Sequence, residues 1–230
     1  HLLSRRQRQM CIRDRSPYIP RNLILRYSKK NDWILDQFLG SGTTLIEAKL
    51  LGRNAIGVDI NSEAIKLSNT NLNFTCQESS KIFTKQGNAT ELSFIKDESI
   101  NLICTHPPYA DIIRYSKKIP GDISHLKYEE FLKALEQVAR EAYRVLKKQG
   151  ICAFMIGDIR RAGYVLPLEM NSMRKVVDAV FRLKEIIIKE QHNCRSADYW
   201  EGKERNFLML AHEYIFILKK TEDYNCLLYT

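Results

Sequence analysis

The sequence predicts an α/β domain with a mostly parallel, seven-stranded sheet and helices on both faces. Short apolar runs alternate along the chain with longer amphipathic segments, a pattern typical of a doubly wound sheet. A glycine-rich turn follows the first apolar run, which is where such a sheet holds a ligand. The length of 230 residues suits one domain of this kind with a full-sized core.

The first half of the sheet is predicted from four apolar runs. Trp33–Asp36 stops at the glycine-rich turn, and Thr43–Leu51 then carries apolar residues at helical spacing up to Gly52. Ala55–Asp59 is a second buried run, which ends in an acid. The other elements predicted in this half are a helix over Glu63–Leu72, capped by Asn61 or Ser62, and strands over Lys81–Lys85 and Ile100–Cys104.

The second half is predicted to add three strands and two helices. Tyr128–Leu146 carries apolar residues along one side, which predicts a long amphipathic helix. Ile151–Ile156 is a fifth strand, and Glu169–Val180 is a further helix. Leu183–Lys189 and Tyr214–Lys219 are joined by a polar loop, so we expect them to form a hairpin-like antiparallel pair.

Composition narrows the class of protein. The chain carries 36 Lys and Arg against 27 Asp and Glu, and this basic balance suits a polyanionic partner without requiring one. No apolar stretch reaches the roughly 20 residues that span a bilayer. The cysteines form no CxxC pair, and Cys104 and Cys152 lie in strand-like runs, so we expect reduced core thiols and a cytoplasmic protein.

Both ends of the chain have the sequence of a DNA-library adapter. Codon by codon, Arg5–Asp14 back-translates into an adapter that ends in a transposon mosaic end, and Cys226–Thr230 back-translates into the reverse complement of that end. We therefore expect residues 1–15 and 226–230 to be artefacts, and residues 16–225 to be an internal piece of a longer frame. The alternative, a basic N-terminal arm that binds nucleic acid, depends on charge alone.

A glycine-rich turn, Asp36-Gln37-Phe38-Leu39-Gly40-Ser41-Gly42-Thr43-Thr44, follows the first predicted strand. Gly40 and Gly42 allow the backbone to approach a ligand closely and to adopt positive φ. Thr43 and Thr44 open a helix whose N-terminus offers N–H groups. The string is neither a full GxGxxG nor a P-loop.

An acid ends the second predicted strand, and a Pro-Pro-aromatic step follows the fourth. Asp59 can accept hydrogen bonds from both hydroxyls of a ribose, and the alternative is that it caps the next helix. The step reads Thr105-His106-Pro107-Pro108-Tyr109. Because proline favours an extended residue before it, the carbonyls of His106 and Pro107 are held outward at the edge of the sheet where ligands bind.

These two motifs, in this order, resemble the cofactor and catalytic motifs of amino-methyltransferases, which methylate the exocyclic nitrogen of a nucleobase using S-adenosylmethionine. The resemblance spans roughly Pro17 to Lys220. It implies a Rossmann-like class I methyltransferase fold with an antiparallel last strand, and it makes 16–225 a methyltransferase domain. The cofactor-binding residues that it implies are Asp36, Phe38, Gly40, Ser41, Gly42, Thr43, Thr44 and Asp59, together with Asn88, which stands where the family often has an acid.

The resemblance implies catalytic roles for His106, Pro107, Pro108 and Tyr109. In the family, the first side chain and the first proline's carbonyl accept the two hydrogens of the target amino group, and the aromatic ring stacks on a flipped-out base. His106 departs from the Asp, Asn or Ser that is usual there. A neutral imidazole has one acceptor nitrogen and can also act as a general base; the alternative is that the motif is catalytically degenerate.

The leading hypothesis is methylation of cytosine N4 or adenine N6 in DNA, as in restriction–modification systems. An RNA base N-methyltransferase of the same fold and a non-catalytic nucleic-acid-binding subunit are the alternatives. No metal site is expected, because His192, Cys194, His212 and Glu213 lack paired ligand spacing, and we expect the last two to be structural. The candidate substrate contacts, which are basic side chains and one aromatic, are Arg114, Tyr115, Lys117, Lys118, Arg160 and Arg161.

Overall fold

A computed structural model describes residues 16–110, 119–161, 164–190 and 210–221. Its strands are β1 (Trp33–Asp36), β2 (Asn54–Asp59), β3 (Ile82–Gln86), β4 (Ile100–Thr105), β5 (Leu146–Ile156), β6 (Ile159–Arg161), β7 (Tyr164–Leu166), β8 (Arg182–Glu190) and β9 (His212–Lys219). Its helices are α1 (Tyr18–Tyr27), α2 (Thr43–Leu50), α3 (Ser62–Leu72), α4 (Tyr128–Val145) and α5 (Leu168–Ala179), with a 3₁₀ turn at Ile123–His125.

Seven of the strands form one sheet in the order β3-β2-β1-β4-β5-β9-β8. The strands from β3 to β5 run parallel, and β9 lies antiparallel between β5 and β8. The predicted fold class, including the antiparallel last strand, is therefore confirmed. From β1 the chain continues to β2 on one side, and it later crosses to β4 on the other side of β1. Such a reversal in strand order opens a crevice at the carboxyl ends of the strands.

Apolar side chains cover both faces of the sheet. On one face, Leu35 and Ile103 pack in a cluster with Phe131 of α4. On the other face, Ile34 packs in a cluster with Leu45 of α2. Neighbouring residues of β1 thus point to opposite faces, as the alternation of a strand requires, and both sides of β1 are buried. Continuous burial on both faces explains why the run reads as uniformly apolar and why its end is held firmly.

The predicted elements match the structure closely, but α1, β6 and β7 were not predicted, and β5 is longer than predicted. This strand begins at Leu146, five residues before the predicted Ile151. Leu146 pairs with Ile100, and a register shift then brings Ile151 opposite Leu102. Lys147, Lys148 and Gln149 are polar and exposed, so hydrophobic periodicity does not reveal the extension. Within the described residues, none of the helices combines the length and the hydropathy that crossing a bilayer would require.

Candidate active site

The two sequence motifs meet in one cleft at the carboxyl ends of β1, β2 and β4. The turn at Gly121–Ile123 closes one side of it. Of the predicted site residues, those that line the cleft are Phe38, Gly40, Ser41, Thr43, Asp59, Asn88, His106, Pro107 and Pro108. Those that lie next to it without lining it are Asp36, Gly42, Thr44 and Tyr109.

The glycine-rich turn is held from within by Asp36, which is only 1% exposed. One carboxylate oxygen accepts the N–H of Phe38 at 3.2 Å, and the other accepts the hydroxyl of Thr44 at 2.5 Å. Gly42 has φ of 88°, and a Cβ there would lie 3.0 Å from the Cβ of Ser68. Asp36, Gly42 and Thr44 therefore shape the turn, whereas their neighbours present the backbone to the cleft.

Asp59 joins this turn to the next helix. Its two oxygens accept the backbone N–H groups of Gly40 and Asn61, each at 2.9 Å. Burial raises the pKa of Asp59, backbone hydrogen bonds from Asn61, Gly40 and Ile60 act against that rise, and the nearby charge of Asp122 adds to it. The N-cap of α3 is Asn61, whose side chain accepts the N–H of Glu63, so Asp59 is not the cap. Each carboxylate oxygen has two lone pairs, which leaves acceptor capacity towards the cleft.

A second carboxylate, which the sequence reasoning missed, faces the cleft from the turn before α4. Asp122 is 8% exposed, and its Oδ1 accepts the N–H of Ser124 at 2.8 Å. The preceding Gly121 has φ of 85°, and a Cβ there would lie 2.8 Å from the amide nitrogen of Asn88. The left-handed φ favours glycine at this position, and a side chain there would also displace the amide of Asn88. A glycine followed by an acid after the Pro-Pro step is the signal that could have found Asp122.

Another missed residue is Gln37, which lies at the end of β1 and lines the cleft. It is 1% exposed, its Nε2 donates to the carbonyl of Val138 at 3.4 Å, and its Oε1 has no hydrogen-bond partner among the described residues. The hydroxyl of Thr105, which directly precedes the Pro-Pro step, is likewise buried without such a partner. Buried polar groups of this kind are uncommon and mark places where a further polar group is accommodated.

The Pro-Pro step is tied to the far end of the sheet. His106 lines the cleft, and its Nε2 lies 2.9 Å from the hydroxyl of Tyr109. That hydroxyl donates to Glu213 at the start of β9 at 2.5 Å, and Lys189 of β8 donates to the other carboxylate oxygen of Glu213. The hydroxyl of Tyr109 is thus engaged away from the cleft lining, and its stacking on a base stays a prediction.

Glu213 is buried, and the groups around it favour its ionised form. Burial alone would raise its pKa, but the charge of His106, together with the hydrogen bonds from Lys189 and Tyr109, outweighs it and lowers the pKa to about 2. The sequence indicated only a structural role for this residue. Glu213 interrupts an otherwise apolar strand at a buried position, and an acid in such a position is the signal that points to a specific partner.

The predicted substrate contacts are only partly visible. Arg114, Tyr115, Lys117 and Lys118 lie outside the described residues. Arg160 and Arg161 lie on β6, which pairs with β7 in a two-stranded hairpin, and they are not among the residues that line the cleft. His192 and Cys194, considered above as metal ligands, also lie outside the described residues, and the described ones hold no cluster of three metal-binding side chains.

Comparison with known proteins gives consistent matches. A family model described as DNA methylase matches residues 15–70 and 100–229. The type II methyltransferase M2.LlaDCHI of Lactococcus lactis subsp. cremoris is 50% identical over 56 residues, which are 24% of this chain and 21% of that protein. A tRNA (guanine(10)-N2)-dimethyltransferase of Methanothermobacter thermautotrophicus is 32% identical over 118 residues, or 51% of this chain and 33% of that protein.

Among solved structures, a SAM-dependent methyltransferase from Methanosarcina mazei superposes with a TM-score of 0.59 at 20% identity. The superposition covers 86% of this chain and 97% of that one, so the two share a fold across nearly the whole domain. The chain spans between a fifth and a third of the length of the two curated relatives described above.

Proposed function

Because the chain belongs to the DNA methylase family, we propose that it methylates the exocyclic amino group of cytosine (N4) or adenine (N6) in DNA, with S-adenosylmethionine as the methyl donor. One observation carries the proposal: the glycine-rich turn and the His106-Pro107-Pro108 step line the same cleft. A cofactor bound along the turn would therefore lie next to a base held at the step, as transfer between the two requires.

The residues of the cleft fit this cofactor. Its ribose hydroxyls need acceptors, and Asp59 keeps acceptor capacity after holding Gly40 and Asn61. Its positive charge is matched by two carboxylates, since Asp59 and Asp122 both line the cleft. Asn88 would offer its amide to the adenine, and the turn would hold the methionine part. When bound, S-adenosylmethionine supplies an activated methyl group on a positively charged sulfur.

The Pro-Pro step would hold the target amino group. We propose that His106 accepts one hydrogen of that group and the Pro107 carbonyl accepts the other, so that the nitrogen lone pair is turned towards the methyl group. After transfer, the imidazole of His106 takes the proton that the nitrogen loses. General base catalysis of this kind contributes roughly 10²- to 10⁴-fold in rate.

DNA is the favoured polymer because the matching family is described as DNA methylase and M2.LlaDCHI is a type II methyltransferase. Methylation of an RNA base is the second candidate, and the longer match to the tRNA dimethyltransferase favours it. Arg160 and Arg161 on the β6–β7 hairpin are proposed contacts to the phosphate backbone of either polymer. The expected cytoplasmic location stays a prediction.

The direct test uses methyl-labelled S-adenosylmethionine with mixed-sequence DNA and, separately, RNA. After digestion to nucleosides, mass spectrometry identifies the labelled base. Label in N4-methylcytosine or N6-methyladenine from DNA, lost in His106→Ala, is the expected result. Label confined to RNA would replace the first candidate by the second. Absence of label on both polymers, with cofactor binding intact, would contradict both and favour a non-catalytic subunit.

A further inference from the structure

Four side chains link the cleft to the antiparallel end of the sheet. His106 Nε2 contacts the Tyr109 hydroxyl at 2.9 Å, the hydroxyl donates to Glu213 at 2.5 Å, and Lys189 donates to the second oxygen of Glu213. Lys189 and Glu213 are direct cross-strand partners in the β8–β9 pairing. Residues from the loop after β4 and from two distant strands thus form one continuous hydrogen-bonded chain.

The number of hydrogens in this chain determines its direction. A phenol has one hydrogen to donate, and an ionised carboxylate can only accept. Lys189 donates to Glu213 and supplies its counter-charge, so the carboxylate is ionised at neutral pH and takes the hydrogen of Tyr109. The Tyr109 oxygen can then only accept from His106, so Nε2 of His106 carries a hydrogen. In the neutral ring, the lone pair is left on Nδ1.

We propose that Glu213, acting through Tyr109, is a positioning residue that holds His106 as the Nε2–H tautomer and thereby makes Nδ1 its acceptor nitrogen. The identification of the Nδ1 partner as a hydrogen of the target amino group rests on the proposed function. The assignment of the tautomer does not. A carboxylate or amide oxygen at this position accepts hydrogens without any such control. A histidine has two neutral tautomers, only one of which has its acceptor on a given side, so it needs a partner that selects between them.

The surroundings support this arrangement. The side chain of Glu213 is only 7% exposed, so without a counter-charge its carboxyl group would favour the protonated form. Lys189 provides that counter-charge from the neighbouring strand. Gly157 follows β5 beside the contact, and a Cβ there would lie 3.0 Å from Cγ of Glu213 and 3.5 Å from the Tyr109 hydroxyl. A side chain at position 157 would therefore crowd Glu213 and would also contact the Tyr109 hydroxyl.

The test is ¹⁵N NMR of the full chain with ring-labelled histidine, because the two ring nitrogens report the tautomer directly. The chain has five histidines, and the signal that disappears in the His106→Gln variant is assigned to His106. We expect wild-type His106 to be protonated on Nε2, and Tyr109→Phe and Glu213→Gln to give a mixture of tautomers. An Nδ1–H ring in the wild type, or an unchanged tautomer in both variants, would overturn the proposal.

The chain offers a matched control. Tyr27 of α1 donates to Glu185 of β8 at 2.9 Å, and neither residue lines the cleft, so the same two substitutions can be made in a second Tyr–Glu pair. Tyr27→Phe and Glu185→Gln are expected to leave the His106 signals and methyl transfer unchanged. Equal changes at His106 from both pairs would show a general structural effect and contradict the proposal.

Kinetics provide the second readout. If the chain methylates DNA as proposed, Glu213→Gln and Tyr109→Phe should lower kcat about 10- to 100-fold, with KM changed less than about twofold, as for other partners that orient a histidine. A change in KM or in folding alone would overturn the positioning role. If the wild type transfers no methyl group, the proposed function fails, and the NMR result still decides the tautomer. Lys189→Met is the second variant to use if Glu213→Gln does not fold.

Discussion

The two ends of the cleft are built in different ways. The glycine-rich turn is held by partners at most 30 positions away in the chain: Asp36 bonds to Phe38 and Thr44, two and eight positions away, Asp59 holds Gly40 from 19 positions away, and Asn71 holds Ser41 from 30. The Pro-Pro step is held by Glu213, which is 104 positions from Tyr109. The proposed cofactor-binding turn can thus be recognised in a short stretch of sequence, whereas the setting of the proposed catalytic step depends on contacts that only the complete sheet creates.

The comparison predicts that the two ends can be disabled separately, and His106→Ala should have the largest effect. Loss of the imidazole removes both the acceptor and the base, so we expect kcat/KM for methyl transfer to fall on the order of 10²- to 10⁴-fold. Calorimetric titration with S-adenosylmethionine should give an unchanged Kd. A parallel loss of cofactor affinity would show that the two ends are not separable.

Asp59→Ala tests the other end. Hydrogen bonds to a charged acceptor are worth about 1.5–3 kcal/mol each, so we expect the Kd for S-adenosylmethionine to rise roughly 10- to 100-fold. Transfer at saturating cofactor should fall much less. Glu63→Ala, at an exposed acid in α3 that pairs with Lys66, is the control and should bind the cofactor normally. Unchanged affinity in Asp59→Ala would remove the assigned ribose role.

Gly42→Ala should have a smaller effect, on folding stability. Its φ of 88° disfavours any side chain, and the new Cβ would lie 3.0 Å from the Cβ of Ser68. We expect the free energy of unfolding in urea to fall by about 1–2 kcal/mol. Gly87→Ala is the matched control, since a Cβ there would meet its nearest atom, Cγ1 of Val58, at an ordinary 3.4 Å. Equal losses in both variants would mean that the turn is not specifically constrained.

The smallest effect concerns Glu169, whose behaviour is opposite to that of Glu213. Burial, followed by the charge and hydrogen bond of Asp158, raises the pKa of Glu169 to about 8. Above pH 4.5, the ordinary pKa of a glutamate, the unfolded chain loses a proton that Glu169 keeps in the folded state. Stability that is complete at low pH is lost as the pH rises towards 8.

Glu169→Gln mimics the protonated carboxyl and cannot ionise. Urea unfolding at pH 5 and pH 8 should show the wild type losing more stability than this variant, by an amount on the order of 1 kcal/mol. Identical losses would mean that Glu169 is ionised in the folded protein throughout this range.

Patterns along the sequence were sufficient to predict the fold and most of the residues that line the cleft. The apolar runs located the strands of the main sheet, because the central parts of β1, β2, β4 and β5 are largely buried and mostly apolar. Gly40, Asp59 and His106 were found because their roles follow from the end of a strand. Glu213 and Gln37 were not, since each owes its environment to residues far away in the chain. The amphipathic pattern also stopped short of the polar extension of β5.

The position of β9 between β5 and β8 links the folding of the sheet to the formation of the cleft. This strand follows both of its neighbours in the chain and must be added into the space between them, so it completes the sheet. A shift of one residue in its register would turn Glu213 to the opposite face and leave Tyr109 without its acceptor. Correct assembly of the sheet and orientation of His106 are therefore linked: a chain in which β9 is misregistered or missing would lack the oriented histidine that the proposed methyl transfer needs.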